Sequence, residues 1–278
     1  MTASLELAAL SLAAWDAADD GSRRELAAAA AARVGGRMIE LEVDAQGGQR
    51  HVVAAIDVRE VHMVLVPGGT VTLGWDPSRP LGLTAAQTAA LAAAPDAADL
   101  PELLAYHLTP TRTVTLAPFL LEIAPRAVSG WLDELEADHD DDADLLAAVA
   151  ARVAGEGFRL PTDDEWEHAA RGGTTSLFRW GDVWPDGVPY ARETHFTGHL
   201  VPSAFGVRLL TDPYQVEVVA EPLGFRGGDG GSAVCGGRPS PEPWLTFASA
   251  FRWPRELWED VVVESLASGW VRRALSLT

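Results

Sequence analysis

The chain has 278 residues, 47% of them hydrophobic, with 21 basic and 40 acidic side chains and a formal charge of −19. That size suits one large domain, or one domain with a small addition, while the acidity works against nucleic acid or an acidic membrane as partner, because phosphate recognition needs concentrated positive charge. No apolar run reaches the roughly 18 residues that span a bilayer. The opening MTASLELAALSLAAWDAADDGS lacks a basic start and is interrupted by Glu6 and Asp16, unlike a secretory leader, so the sequence predicts a cytoplasmic protein.

In chain order, residues 3–15 and 22–34 read as two Ala-rich helices joined by DAADDG, with Ser22 as N-cap and Gly35-Gly36 as the stop. MIELEV and HVVAAIDV flank DAQGGQ as a β-hairpin, and HMVLV and TVTLGW flank PGG as a second. Residues 77–108 form an Ala-rich insertion, helical over 84–94; RTVTLAPFLLEI is strand-like, and residues 128–135 make a short helix. The acidic run DELEADHDDDAD leads into a helix over 143–154. It alternates like the start of a calcium loop but lacks the Gly and Glu that such a loop needs at its sixth and twelfth positions, and reads as a solvated linker. From Val183 to Gly237, Gly and Pro separate short apolar pieces, which predicts long ordered loops with Trp rings filling the core between them.

RLPTDDEWEHAARGG carries the most local information. Pro161 keeps Leu160 extended. Thr162 and Glu165 have the spacing of a capping box, and Asp163 and Asp164 suit the positive end of the helix dipole. Trp166, Ala169 and Ala170 are spaced to face inward, and Gly172-Gly173 supplies the left-handed stop. Arg159, Arg171, Arg252 and Arg272 are candidates for buried ion pairs with Glu165, Glu167 or Asp182.

The segment GFRLPTDDEWEHAARGG resembles the G-x-R-L-P-T-x-x-E-W-E-x-A-A-R-G-G of the formylglycine-generating enzyme (sulfatase-modifying factor) family. FRWGD resembles that family's aromatic-x-W-G-D, MVLVPGGTVTLG its opening hairpin, PSAFGV its P-N-A-F-G-L, CGGRPSPEPW its R-G-G-S-W, and FASAFRW its R-S-A-Y-R-W; GWVRRAL resembles the closing strand. These pieces run in order from His62 to Leu275. The resemblance implies an α+β fold, a variant of the C-type lectin scaffold with short twisted sheets, few helices and much ordered loop. It divides the chain into residues 1–58, helices and a hairpin as an N-terminal extension, and residues 59–278, the family domain.

The resemblance stops where the family's chemistry begins. Formylglycine-generating enzymes hold copper between two cysteines and use O2 to oxidise a substrate cysteine. Cu(I) is a soft ion that calls for thiolates, and this chain has one cysteine, Cys235, standing where the family has the Arg of R-G-G-S. No intrachain disulfide and no Cys-rich zinc site is possible either, and by itself Cys235 reads as a small buried hydrophobe. The calcium-associated G-N-V-W-E-W is replaced by TDPYQVEV, leaving Asp212 and Glu217 as remnants, so the family's calcium site reads as lost. The family's iron-dependent sulfoxide synthases draw three histidines from a separate helical bundle, whereas residues 1–55 are too short for one and hold only His51.

The sequence therefore predicts a family member without copper-dependent formylglycine generation, acting as a binding module for an unknown protein or small molecule. The candidate ligand face comprises Trp180, Cys235, Trp244, Phe251, Arg252 and Trp253, because aromatic and Arg side chains dominate binding hot spots. The alternative is an iron- or copper-dependent oxidase with a relocated site, built on His195 and His199 of HFTGH with a carboxylate. GFRGGDGGSAVCGG lacks the strand-then-helix context and following Lys of a phosphate loop, and the family resemblance implies a loop before a core strand.

Overall fold

The computed structural model describes residues 7–44, 50–93, 100–131, 142–189, 195–220, 224–238, 242–253, 266 and 269–277, and within them the chain is α+β. A five-stranded antiparallel sheet has the order β1 (Arg37–Asp44), β2 (Arg50–Val58), β3 (Val61–Val66), β6 (Phe119–Glu122), β11 (Ala274–Ser276). The expected first hairpin is β1–β2. The reversal from β2 to β3 uses Arg59 and Glu60, with φ of 54° and 67°. Two positive φ values match the twist of a tight hairpin but are uncomfortable for side-chain-bearing residues. Tertiary contacts hold the turn, since Arg59 donates to the Glu156 carbonyl at 2.9 Å and lies over the Phe158 ring.

The second expected hairpin does not form. β3 is already paired on both sides, by β2 and β6, and has no free edge for the strand that follows. Gly69, at φ 98°, turns the chain away. β4 (Gly69–Leu73) pairs instead with β5 (Arg112–Leu116) in a separate two-stranded sheet, from Gly69 opposite Leu116 to Leu73 opposite Arg112. A third sheet has the order β7 (Arg126–Ala127), β10 (Gly269–Val271), β8 (Val216–Val219), β9 (Gly224–Gly227), with β10 and β8 parallel.

Helix α1 (Leu12–Ala17) starts later than expected, at the Ser11 cap, and residues 1–6 lie outside the described residues. Helix α2 (Asp20–Val34) is capped by Asp19, whose side chain accepts from the Ser22 N–H, so Ser22 is inside the helix and not its cap. Gly35 ends it in the left-handed conformation, and Leu26, Ala27, Ala30 and Ala31 are its buried stripe. Helices α3 (Ala85–Ala93) and α4 (Leu100–His107) occupy the Ala-rich insertion. The helix expected over 128–135 is displaced: the Val128 N–H bonds to Gly269 O beside β7, and helical backbone begins at Ser129, with 132–141 outside the described residues. Helices α5 (Asp142–Gly155) and α6 (Asp163–Arg171) follow, then a single turn, α7 (Ser232–Cys235). The loop after β9 is followed by a 3-10 helix over Glu242–Phe247, not by a core strand.

Two cores result. An aliphatic one joins α2 and α5 to the sheets through residues such as Leu26, Ile56, Met63, Val149 and Val218. The other is an aromatic layer assembled mainly from loops, with Trp75, Phe178, Trp184, Trp244 and Phe251 at its centre. Among the described residues no helix is long and apolar enough to cross a membrane.

Candidate functional site

Helix α6 organises the molecule's charged interior. Thr162 and Glu165 form the expected capping box, and Gly172 ends the helix at φ 63°. Arg159 clamps Glu165 with two hydrogen bonds of 2.6 and 2.7 Å. Every residue from Glu165 to Arg171 is buried, so the helix buries its charged residues as well as Trp166, Ala169 and Ala170.

Glu167 is the hub of the face turned toward β4 and β9. Its carboxylate accepts from the Gly74 N–H at 2.5 Å, Thr109 Oγ1 at 3.0 Å, Arg112 Nη2 at 2.9 Å, and Arg171 and Arg226 at 3.3 Å. Burial pushes this carboxyl up, but Arg226 and Arg112, with the Gly74 N–H and Arg171, outweigh it and hold it below the ordinary range. Asp163 follows the same pattern, with Arg226 gripping it through two 2.6 Å bonds. Gly74 has φ 83°, and a Cβ there would collide with the Pro110 carbonyl; only glycine lets its N–H reach Glu167 while its carbonyl accepts from Arg171 at 2.8 Å.

On the other face lies a second hub. Trp166 Nε1 donates to Glu217 at 2.9 Å, and Glu217 pairs with Arg272 through bonds of 3.0 and 2.8 Å. Arg272 also donates to the carbonyls of Glu122, Ile123 and Arg208, at 2.7, 2.8 and 2.7 Å. Every one of its N–H donors is used. Its partner is Glu217, not the Glu165, Glu167 or Asp182 expected from sequence; Asp182 pairs with Arg79 at 2.8 Å. Arg159 and Arg171 take the expected partners, Glu165 and Glu167.

A cleft of about 310 Å³ opens beside the N-terminus of α6, lined by Thr109, Pro110, Arg112, Thr162, Asp163, Asp164 and Arg252. Arg112 is anchored there by Asp164 and Glu167, yet its Nη1 is buried with no hydrogen-bond partner among the described residues. Arg252 is exposed, and among the described residues its guanidinium makes no ion pair or hydrogen bond. A second cleft of about 420 Å³ shares the Pro110 wall and is mostly apolar, with Trp75, Leu104 and Leu108 on its sides.

The six residues proposed as a ligand face do not form one surface: Trp180, Trp244, Phe251 and Trp253 gather in or against the aromatic core. Arg252 lines the polar cleft, but the other five are not in its wall. Trp244 and Phe251, 0% and 2% exposed, are core, and Trp244 Nε1 bonds to Gly187 O at 3.0 Å. Trp180 is half-buried, stacked on Phe178 at 4.6 Å, and Trp253 is tied to Gly228 O at 2.7 Å. Cys235 is exposed rather than a buried hydrophobe; its Sγ lies 3.1 Å from Tyr214 Oη.

His195 is exposed, while His199 sits in a 3-10 turn against Trp244 and Phe247, at ring distances of 5.3 and 5.6 Å. Burial and then Arg179 push His199 down to about 4. Among the described residues no three His, Cys, Asp or Glu side chains are grouped to hold a metal. A copper site of the family's type does not fit, because one thiol cannot supply two thiolates. Nor is Glu217 free for a cation, being bound by Arg272 and Trp166, and Asp212 accepts from the Tyr214 N–H.

Arg112, Arg226 and Thr109 were not legible as site residues. Their partners on α6 are more than fifty residues away in sequence, and nothing in RTVTL or GFRGG announces an ion pair. The only signal was the crowding of acids at the start of α6, which calls for cations from elsewhere.

Against known proteins, residues 140–208, which contain the whole of α6, match the sulfatase-modifying factor enzyme 1-like domain. A 36-residue stretch is 61% identical to the formylglycine-generating enzyme of Mycobacterium tuberculosis (strain ATCC 25618 / H37Rv), spanning 13% of this chain and 11% of that protein. Both matches cover a minor part of the chain, and within that part they make it similar to the formylglycine-generating enzyme and sulfatase-modifying factor family.

Proposed function

We propose that this chain is a divergent member of that family which lacks copper-dependent formylglycine generation and works as a binding module on a C-type-lectin-like scaffold. The observation that carries the reading is the single cysteine. Cu(I) held by two thiolates has no second ligand within these residues, and the one thiol is exposed and hydrogen-bonded to a tyrosine. The family segment supports the same reading from the other side. Its charged and aromatic residues are consumed by the two hubs of α6, so what is retained is scaffold.

The partner is a protein or a small molecule, and two clefts, one of them at the start of α6, offer it concave surface among the described residues. The direct test incubates the protein with a cysteine-containing sulfatase-type peptide, copper and O2, and follows the peptide by mass spectrometry. No aldehyde is expected above a protein-free control; conversion of the cysteine to formylglycine overturns the reading.

A further inference from the structure

We propose that the two clefts flanking Pro110 form one binding site for a small carboxylate with an apolar body, the acid group seated at Arg252 and the hydrocarbon against Trp75, Leu104 and Leu108. This deepens the binding-module reading and rests on it.

Charge pairing is uneven across the polar cleft. Arg226 and Arg112 are matched by Asp163, Asp164 and Glu167. Arg252 is the cation of this set without a bonded carboxylate: its charge helps hold Asp163 ionised, but among the described residues no carboxylate bonds to it. Backbone contacts hold it in place. Its N–H donates to His107 O at 2.9 Å, it bridges Arg226 across the chain, and Arg226 in turn holds Phe251 O at 2.9 Å. An exposed guanidinium on a backbone held in this way, on a chain of charge −19, is a poor general anion trap and a good local one, because long-range steering works against anions and only short-range pairing favours them.

The apolar cleft supplies the second half. Trp75, 4% exposed, and Leu104 and Leu108 line it, and Trp75 Nε1 is also buried without a partner among the described residues. With Pro110 common to both, a ligand reaching from one to the other places its head and its body on opposite sides of that ring. The volumes fall in the range of small-molecule sites, roughly 300–1,000 Å³. Inorganic phosphate or acetate fills only the polar half, whereas a neutral hydrocarbon fills only the other.

The probe is 3-phenylpropionate, with 3-phenylpropanamide and acetate as controls, titrated calorimetrically and by chemical-shift mapping against the full chain. We expect 3-phenylpropionate to bind with Kd near ~1 mM or tighter, and both controls about tenfold more weakly or worse. Arg252→Ala, at an exposed position, is expected to lose about tenfold in affinity with unchanged thermal stability. Ala105→Trp, which fills the apolar cleft from an exposed position on α4, is expected to abolish binding while acetate is unaffected. Equal affinity for the amide, or binding insensitive to both substitutions, overturns the proposal, as does no binding of 3-phenylpropionate by the unaltered protein. The broader reading fails separately, on appearance of the aldehyde product in the peptide assay.

Discussion

Around α6 the buried polar atoms are mostly charged and paired; in the aromatic layer they are neutral, and several lack a partner among the described residues. Glu167, Asp163 and Glu217 meet Arg226, Arg112 and Arg272 at hydrogen-bond distance, and each carboxylate has at least two donors. In the aromatic layer Trp75 Nε1, His107 Nδ1 and His199 Nδ1 are buried with no partner among the described residues. There burial strips the charge instead, and both histidines titrate only near 4. The two regions solve the same desolvation problem differently. Pairing ties specific backbone segments together and fixes their geometry. Neutral rings fill space without directional bonds, so their packing constrains the loops less tightly.

The largest effect should come from breaking the saturated hub. Arg272→Ala leaves Glu217 buried and strips a donor from three carbonyls, at a cost of about 3–5 kcal/mol. Urea denaturation should show the transition midpoint fall steeply or the fold fail; a loss under about 1 kcal/mol would mean that water replaces the guanidinium. Glu167→Gln is milder, because the amide oxygen still accepts from Gly74 and its NH2 can donate to the Thr109 hydroxyl, while the charge shared by three arginines is surrendered. We expect about 2 kcal/mol of destabilisation in the same assay, with an effect as large as that of Arg272→Ala ranking the hubs as equals.

The smallest effect probes the neutral region. His107 is pushed down to about 4, first by burial and then by Arg238, and stacks on Phe251 at 5.3 Å. A base with a lowered folded pKa contributes stability that is whole above its unfolded value of 6.5 and is lost as pH falls toward 4. His107→Phe keeps the stack and removes the titration. Between those limits its stability should fall less steeply than that of the parent, by up to about 1 kcal/mol per pH unit, discounted from the ideal for partial exposure. Asp229 and Glu242, raised by burial, titrate in the opposite sense but are common to both proteins. Identical slopes would place the acid sensitivity elsewhere.

What the sequence revealed divides along the same line. The start, stop and cap of α6 were legible because Thr162, Glu165, Pro161 and Gly172 act on neighbours within a few residues. The loop-rich character of residues 183–237 was legible from composition, but β8, β9 and α7 inside that stretch were not. The β3–β4 hairpin was misread because turn residues announce a reversal without saying which strands are already paired. The cleft was hidden for a similar reason: Arg112, Asp163 and Arg252 come from widely separated segments, and what distinguishes Arg252 is the lack of a bonded carboxylate among the described residues, which no local pattern encodes. Trp244 and Phe251 were singled out as aromatic and proved to be packing.

The position of Arg272 also sets an order of events during synthesis. Its contacts reach back 150, 149 and 64 residues, to Glu122, Ile123 and Arg208. β10 inserts between β7 and β8, and β11 completes the five-stranded sheet beside β6. Until residues 269–276 leave the ribosome, β6 has one open edge, and Glu217 is an unneutralised acid beside Trp166. Consolidation therefore waits for residues 269–276, with loop closure over long separations slowing it, and until then the nascent chain carries an exposed strand edge.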